Sequence, residues 1–140
     1  MLSRLRDALV RTAVRTEVSA HCDLPCGVYD PAQARIEAES VKQIIAKANA
    51  SGDPDFRTRA IFIKEQRAEL VKHHLWVLWT DYFKPPHFEK YSNLHQLFNE
   101  ATKLAGAGGV KGSLDESVAD QLLGKIDEIA KIFWETKKAA

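Results

Sequence analysis

Residues 113–133 read SLDESVADQLLGKIDEIAKIF, and this stretch decides the fold class. Val118, Leu122, Ile126, Ile129 and Phe133 recur three or four places apart, the spacing that puts side chains on one face of an α-helix. Ser113 followed by Glu116 has the form of a capping box at its start. Just upstream, Leu94, Leu97, Phe98, Ala101 and Leu104 form a shorter stripe that ends in Gly106-Ala107-Gly108-Gly109. Before that, Asp53-Pro54 opens a helix through Ile63, Leu70, Val71 and Leu78 to about Phe83. Pro85-Pro86 stops it, because a residue before proline is pushed out of the helical region. Asp30-Pro31 opens another by the same device, with Ile36, Val41, Ile44, Ile45 and Ala48 repeating until Ser51-Gly52. No stretch alternates with period two. Four such helices with short connections predict an all-α protein, an antiparallel four-helix bundle, with residues 21–30 left as an irregular N-terminal hook.

The 140 residues suit one domain with a modest core. Hydrophobic residues make up 45% and charged residues 28%, and the formal net charge is only +1. That balance argues against nucleic acid, which requires a concentrated field of Lys and Arg. No apolar run approaches the roughly 18–20 residues needed to span a bilayer, so no membrane partner is expected.

Residues 1–20 carry Arg4, Arg6, Arg11 and Arg15 among Leu2, Leu5, Leu9 and Val10. The arginines break any continuous apolar centre of a secretory signal, which favours a cytoplasmic protein. The segment reads either as a removable leader ending at Ser19-Ala20 or as a frayed helix on the bundle.

Two charges fall on apolar faces. Glu37 is in register with Val41, Ile44 and Ala48, and Arg67 with Ile63, Val71 and His74. An ionised group turned toward a core is costly unless paired, so either a Glu37–Arg67 ion pair joining two helices at the bundle rim or a functional role accounts for both.

The two cysteines, Cys22 and Cys26, lie in His21-Cys22-Asp23-Leu24-Pro25-Cys26. Taken alone, C-x-x-x-C is compatible with a transient disulfide or two inert thiols. A structural zinc site would want four ligands, and only His21 is adjacent; His73, His74, His87 and His95 are scattered. Cleavage after Ala20 would change the chemistry. A free amine on His21, the Cys22 amide nitrogen and two thiolates form a compact planar donor set, which suits nickel(II) or copper(II) rather than zinc. The leader would then act as a maturation switch.

From these residues the chain resembles the nickel-containing superoxide dismutase family. The hook His21-Cys22-Asp23-Leu24-Pro25-Cys26-Gly27-Val28-Tyr29-Asp30 is similar to that family's nickel-binding motif. The likeness continues through residues 63–70 (IKEQRAEL), 81–91 (DYFKPPHFEKY) and 131–138 (KIFWETKK). It covers 21 to the C-terminus and loosens around 45–62 and 99–130. The resemblance implies one nickel per subunit, cycling between Ni(2+) and Ni(3+), with His21, Cys22 and Cys26 as metal ligands. It also implies a leader cut before His21 by a processing peptidase, a cis Leu24-Pro25 bond and a homohexamer. Glu37 and Arg67 would support the His21 imidazole, while Tyr29 and Tyr82 would flank the open face of the metal. Trp76 and Trp79 could serve subunit contacts or the core. The implied activity is an antioxidant one: superoxide is disproportionated to dioxygen and hydrogen peroxide, with Lys84 or Arg67 available to steer the anion. The alternatives are a nickel or copper carrier without turnover, and a helical interaction module with a redox-sensitive disulfide.

Overall fold

The computed structural model describes residues 26–140. Its helices are α1 (Ala32–Ala50), α2 (Pro54–Val77), α3 (Pro85–Lys90), α4 (Leu94–Leu104) and α5 (Glu116–Lys138), and a π-helical turn, Leu78–Tyr82, prolongs α2. Helix α1 packs on α2 and α5, α4 packs on α5 and α2, and so four long helices close around one core. No strand occurs among the described residues. The all-α bundle expected from the sequence is the observed fold.

The starts of the helices follow the residues that offer caps. Asp30 Oδ1 accepts from the Ala32 N–H at 2.8 Å. Asp53 accepts from the N–H groups of Asp55 and Phe56, with Pro54 in the first turn where its missing N–H costs nothing. Helix α5 departs from expectation. Its cap is Asp115, which accepts from the Ser117 N–H at 2.8 Å, while Ser113 Oγ accepts from the Asp115 N–H at 3.1 Å. The Ser113–Glu116 capping box is therefore not formed: the shorter aspartate reaches the first free N–H groups, and the helix begins two residues later. Pro85-Pro86 ends α2 as expected but also opens α3, because proline's fixed φ suits a first turn.

The buried faces are narrower in α1 and α2 than the aliphatic pattern implied. Ile36 is 65% exposed, and Ala34, Ala38, Val41, Ile45 and Ala48 carry the contact instead. Against them lie Ala60, Lys64, Ala68, Val71 and Leu75. Small side chains on both helices allow the close approach, which leaves the bulkier Ile36 at the edge. In α4 and α5 the expected stripes are the core: Leu94, Leu97, Phe98, Ala101, Leu122, Ile126, Ile129 and Phe133 are buried. Trp79 joins this core, stacked on Phe98 with centroids 6.2 Å apart, whereas Trp76 is exposed.

The α4–α5 connection folds back on α2. Val110 donates to the Leu104 carbonyl at 2.8 Å, which brings the chain so close that a Cβ on Gly109 would lie 1.9 Å from that oxygen. Only glycine fits there. Lys64, 1% exposed, donates to the Val110 carbonyl at 2.7 Å and to Glu65 Oε1 at 2.5 Å. Glu65 Oε1 in turn accepts from the Gly112 N–H at 2.7 Å. These bonds hold residues 105–112 against α2.

Candidate functional site

The segment that leads out of the N-terminal hook reaches the bundle at Tyr29. Cys26 is an exposed free thiol whose Sγ lies 4.0 Å from the Val28 carbonyl. Gly27 comes next with φ +74, a left-handed conformation that reverses the chain and that L side chains rarely adopt. Tyr29 then packs against the core, its ring centroid 5.7 Å from that of Tyr82 at an interplanar angle of 58°. The two tyrosines named from sequence are thus neighbours.

Tyr82 is the last residue of the π turn, in which Phe83 donates to the Leu78 carbonyl at 3.1 Å. The wider turn rotates the chain beyond it, and such turns recur at functional sites. The Tyr82 ring is fixed by Phe133 (centroids 4.3 Å), by Phe83 (4.9 Å) and by His87, which stacks at 5.9 Å and 12°. The Lys137 ammonium sits 5.0 Å from the Tyr82 ring centroid. Its hydroxyl is 2.6 Å from Thr136 Oγ1. In the sequence Phe133 reads as core alone, and nothing marks Thr136, His87 or Lys137 as neighbours of Tyr82. For Thr136 the available signal is its position three residues after Phe133, on the same face of α5.

Glu37 and Arg67 form the ion pair expected from the sequence: Arg67 Nη1 donates to Glu37 Oε1 at 3.2 Å and to Oε2 at 3.1 Å. The side chains are 17% and 41% exposed, which places the pair at the rim between α1 and α2. His21, Cys22, the Leu24-Pro25 bond and the leader lie outside the described residues. Among the described residues, no three His, Cys, Asp or Glu side chains converge as metal ligands.

A family model for nickel-containing superoxide dismutase matches residues 16–137 of this chain. The chain belongs to that family. Its relatives include superoxide dismutase [Ni] of Streptomyces coelicolor, 62% identical over 139 residues, which are 99% of this chain and 100% of that one. The corresponding protein of Streptomyces seoulensis is equally similar, over the same shares. Among solved structures, native nickel superoxide dismutase aligns with a TM-score of 0.81 at 64% identity, covering 84% of this chain and 99% of that one. A nickel-containing superoxide dismutase with nickel ligation corresponding to the oxidised state aligns with the same score and coverage. The bundle described above is therefore that of a nickel-containing superoxide dismutase.

Proposed function

We infer that this chain disproportionates superoxide with nickel held by its N-terminal hook, after removal of residues 1–20. The contact between Tyr29 and Tyr82 is the observation that supports a site at this end of the bundle. It sets the exit of the Cys26 turn against the end of the bundle, with two phenols beside it. The donor chemistry fits the metal. The His21 amine and imidazole, the Cys22 amide nitrogen and thiolate, and the Cys26 thiolate would hold it, and nitrogen–sulfur ligation of this kind suits nickel(II). When bound, nickel supplies the one-electron couple between its +2 and +3 states. In the balanced reaction, two superoxide anions and two protons give one dioxygen and one hydrogen peroxide.

The remaining work falls to the chain's own residues. Tyr29 and Tyr82 narrow the approach to small molecules. Glu37 and Arg67, already fixed to each other, would position the His21 imidazole. Lys84 is exposed at the start of α3 and adds positive charge near Tyr82, which favours arrival of an anion.

Removal of the leader is supported by the lengths of the relatives. The curated relatives match nearly all of this chain, while the solved nickel superoxide dismutase matches 84% of it over 99% of its own length. The unmatched part is of the size of the leader. Before the cut, the His21 nitrogen is an ordinary amide and cannot serve as the amine ligand. We further propose a cytoplasmic homohexamer matured by a processing peptidase. Exposed Phe62 and Trp134 offer apolar surface for contacts between subunits, and among the described residues no helix is long and apolar enough to cross a membrane.

The test compares superoxide consumption by nickel-loaded protein beginning at Met1 with the same protein beginning at His21. Activity confined to the His21 form supports the reading. Equal activity in both discards the amine ligand, and inactive nickel-loaded protein of both kinds makes the chain a carrier.

A further inference from the structure

Thr136 is one of only two buried polar or charged side chains among the described residues, at 8% exposed. The other, Lys64, holds the α4–α5 connection. Thr136 Oγ1 has two oxygen neighbours, the Phe133 carbonyl at 2.6 Å and the Tyr82 hydroxyl at 2.6 Å. A threonine hydroxyl carries one proton, and a carbonyl can only accept. The Thr136 proton therefore goes to Phe133, and the Tyr82 hydroxyl must donate to Thr136. The phenol proton points into the bundle, and Tyr82 offers only lone pairs on its other side. A carbonyl ends this chain of hydrogen bonds, so no proton can be relayed to Tyr82 through Thr136.

We propose that Thr136 is a positioning residue for the dismutase reaction, which turns the Tyr82 hydroxyl proton away from the reaction face. This rests on the reading that Tyr82 borders the nickel site. Tyr82 then accepts a hydrogen bond from a water or protonated species at that face, and the protons that superoxide consumes come from another group. Four contacts keep the ring in place for this: Phe133, Phe83, His87 and the Lys137 ammonium. Thr136 sets only the direction of the hydroxyl.

The test uses Thr136→Val, which keeps the shape and removes the acceptor, and Thr136→Ser, which restores it. In the full chain, the tyrosine Fermi doublet in ultraviolet resonance Raman spectra separates a donating from an accepting hydroxyl. The chain has three tyrosines, so each spectrum is read against its own Tyr82→Phe counterpart. The expected result is a donor-type doublet in the parent and in Thr136→Ser, lost in Thr136→Val. In nickel-loaded protein beginning at His21, Thr136→Val should slow superoxide consumption about three- to tenfold, the scale of one hydrogen bond, with Thr136→Ser recovering it. A donor-type doublet that survives Thr136→Val overturns the proposal. So does unchanged turnover in Thr136→Val when Tyr82→Phe is slow. Unchanged turnover in Tyr82→Phe itself would instead remove Tyr82 from the site, and the proposal with it.

Discussion

The Lys64 ammonium, enclosed between α2 and the α4–α5 connection, donates to the Val110 carbonyl at 2.7 Å. A buried ammonium without acceptors would be costly, and here Glu65 Oε1 at 2.5 Å supplies the second one. The pair acts as a clasp: one end is helix, the other a glycine-rich turn that enters the core through Ala105 and Val110. Replacing Lys64 by Met keeps most of the volume but leaves the Val110 carbonyl without its donor and the Glu65 carboxylate with the Gly112 N–H but no ammonium. Lys64→Met is expected to cost about 2–3 kcal/mol, read from urea unfolding, with hydrogen exchange accelerated in residues 105–112.

The same clasp should open in acid. Burial pushes the Glu65 carboxyl up, but the hydrogen bonds from Lys64 and from the Gly112 N–H, with the charges of Lys64 and Lys111, outweigh it and hold the group below the usual glutamate value. A carboxyl depressed in the folded state adds stability above its unfolded value. That stability is lost as pH falls through the folded value, so the window lies below the ordinary glutamate range. Glu69, bonded to Lys111, is lowered in the same sense. The urea midpoint should fall through this acid window in the parent and fall less steeply in Glu65→Gln. Equal slopes in the two proteins would show that Glu65 does not set it.

Glu37 and Arg67 make a pair of intermediate burial, which fixes how large its coupling can be. Fully buried pairs lose about 3–5 kcal/mol when one partner is removed, whereas exposed pairs yield at most about 1 kcal/mol. With Arg67 41% exposed, water screens the interaction, so a double-mutant cycle of Glu37→Gln and Arg67→Gln is expected to give about 1 kcal/mol of coupling. Superoxide consumption should fall more than such a small loss of stability explains, because both side chains would also position His21.

What the sequence revealed depended on the strength of each physical signal. The stripes of α4 and α5 were legible because large aliphatic residues are expensive to expose. The inner face of α1 was legible only in part: alanine contributes little to an apolar pattern, so Ile36 stood out while Ala34 and Ala38 made the contact. Two charges on apolar faces forecast the Glu37–Arg67 pair, yet Lys64, on the same helix as Arg67, gave no such sign. Its acceptor, a backbone carbonyl in a distant turn, leaves no mark in composition. Tyr29 and Tyr82 were picked out by family likeness alone, since no local pattern links them. Thr136 became visible only once Tyr82 had been placed.

Cys26 is the member of the proposed ligand set that lies within the described residues, and it is exposed and free to bind. Cys26→Ser replaces a thiolate with a hydroxyl that stays protonated at neutral pH and is a poor match for nickel(II). In protein beginning at His21, nickel retained after gel filtration should fall well below one per chain, and absorption from sulfur-to-nickel charge transfer should weaken. Melting of the bundle should change by less than about 0.5 kcal/mol, as for an exposed side chain away from the core. Full nickel retention would place the metal elsewhere.

The π turn at Leu78–Tyr82 gives a sharper test of how the fold serves the site. One additional residue in that turn sets the rotation at which Tyr82 meets Tyr29, Phe133 and Thr136. Deleting Thr80, which is exposed, would let the turn relax to α-helical bonding and rotate everything beyond it by roughly 100°. Tyr82 would leave its pocket, and the buried Phe83 would have to find new packing through the 84–93 connection. Thr80→Ala is the matched control. It loses the hydroxyl whose single proton is shared between the Trp76 carbonyl (2.8 Å) and Asp81 Oδ1 (3.0 Å) but keeps the residue count. Expected for the deletion are helical circular dichroism close to the parent's and superoxide consumption reduced by more than about tenfold, equivalent to at least 1.4 kcal/mol of activation free energy. Thr80→Ala should stay within about twofold of the parent, as suits an exposed hydroxyl. Parent-like turnover after the deletion would mean that the orientation of Tyr82 does not depend on the turn that carries it.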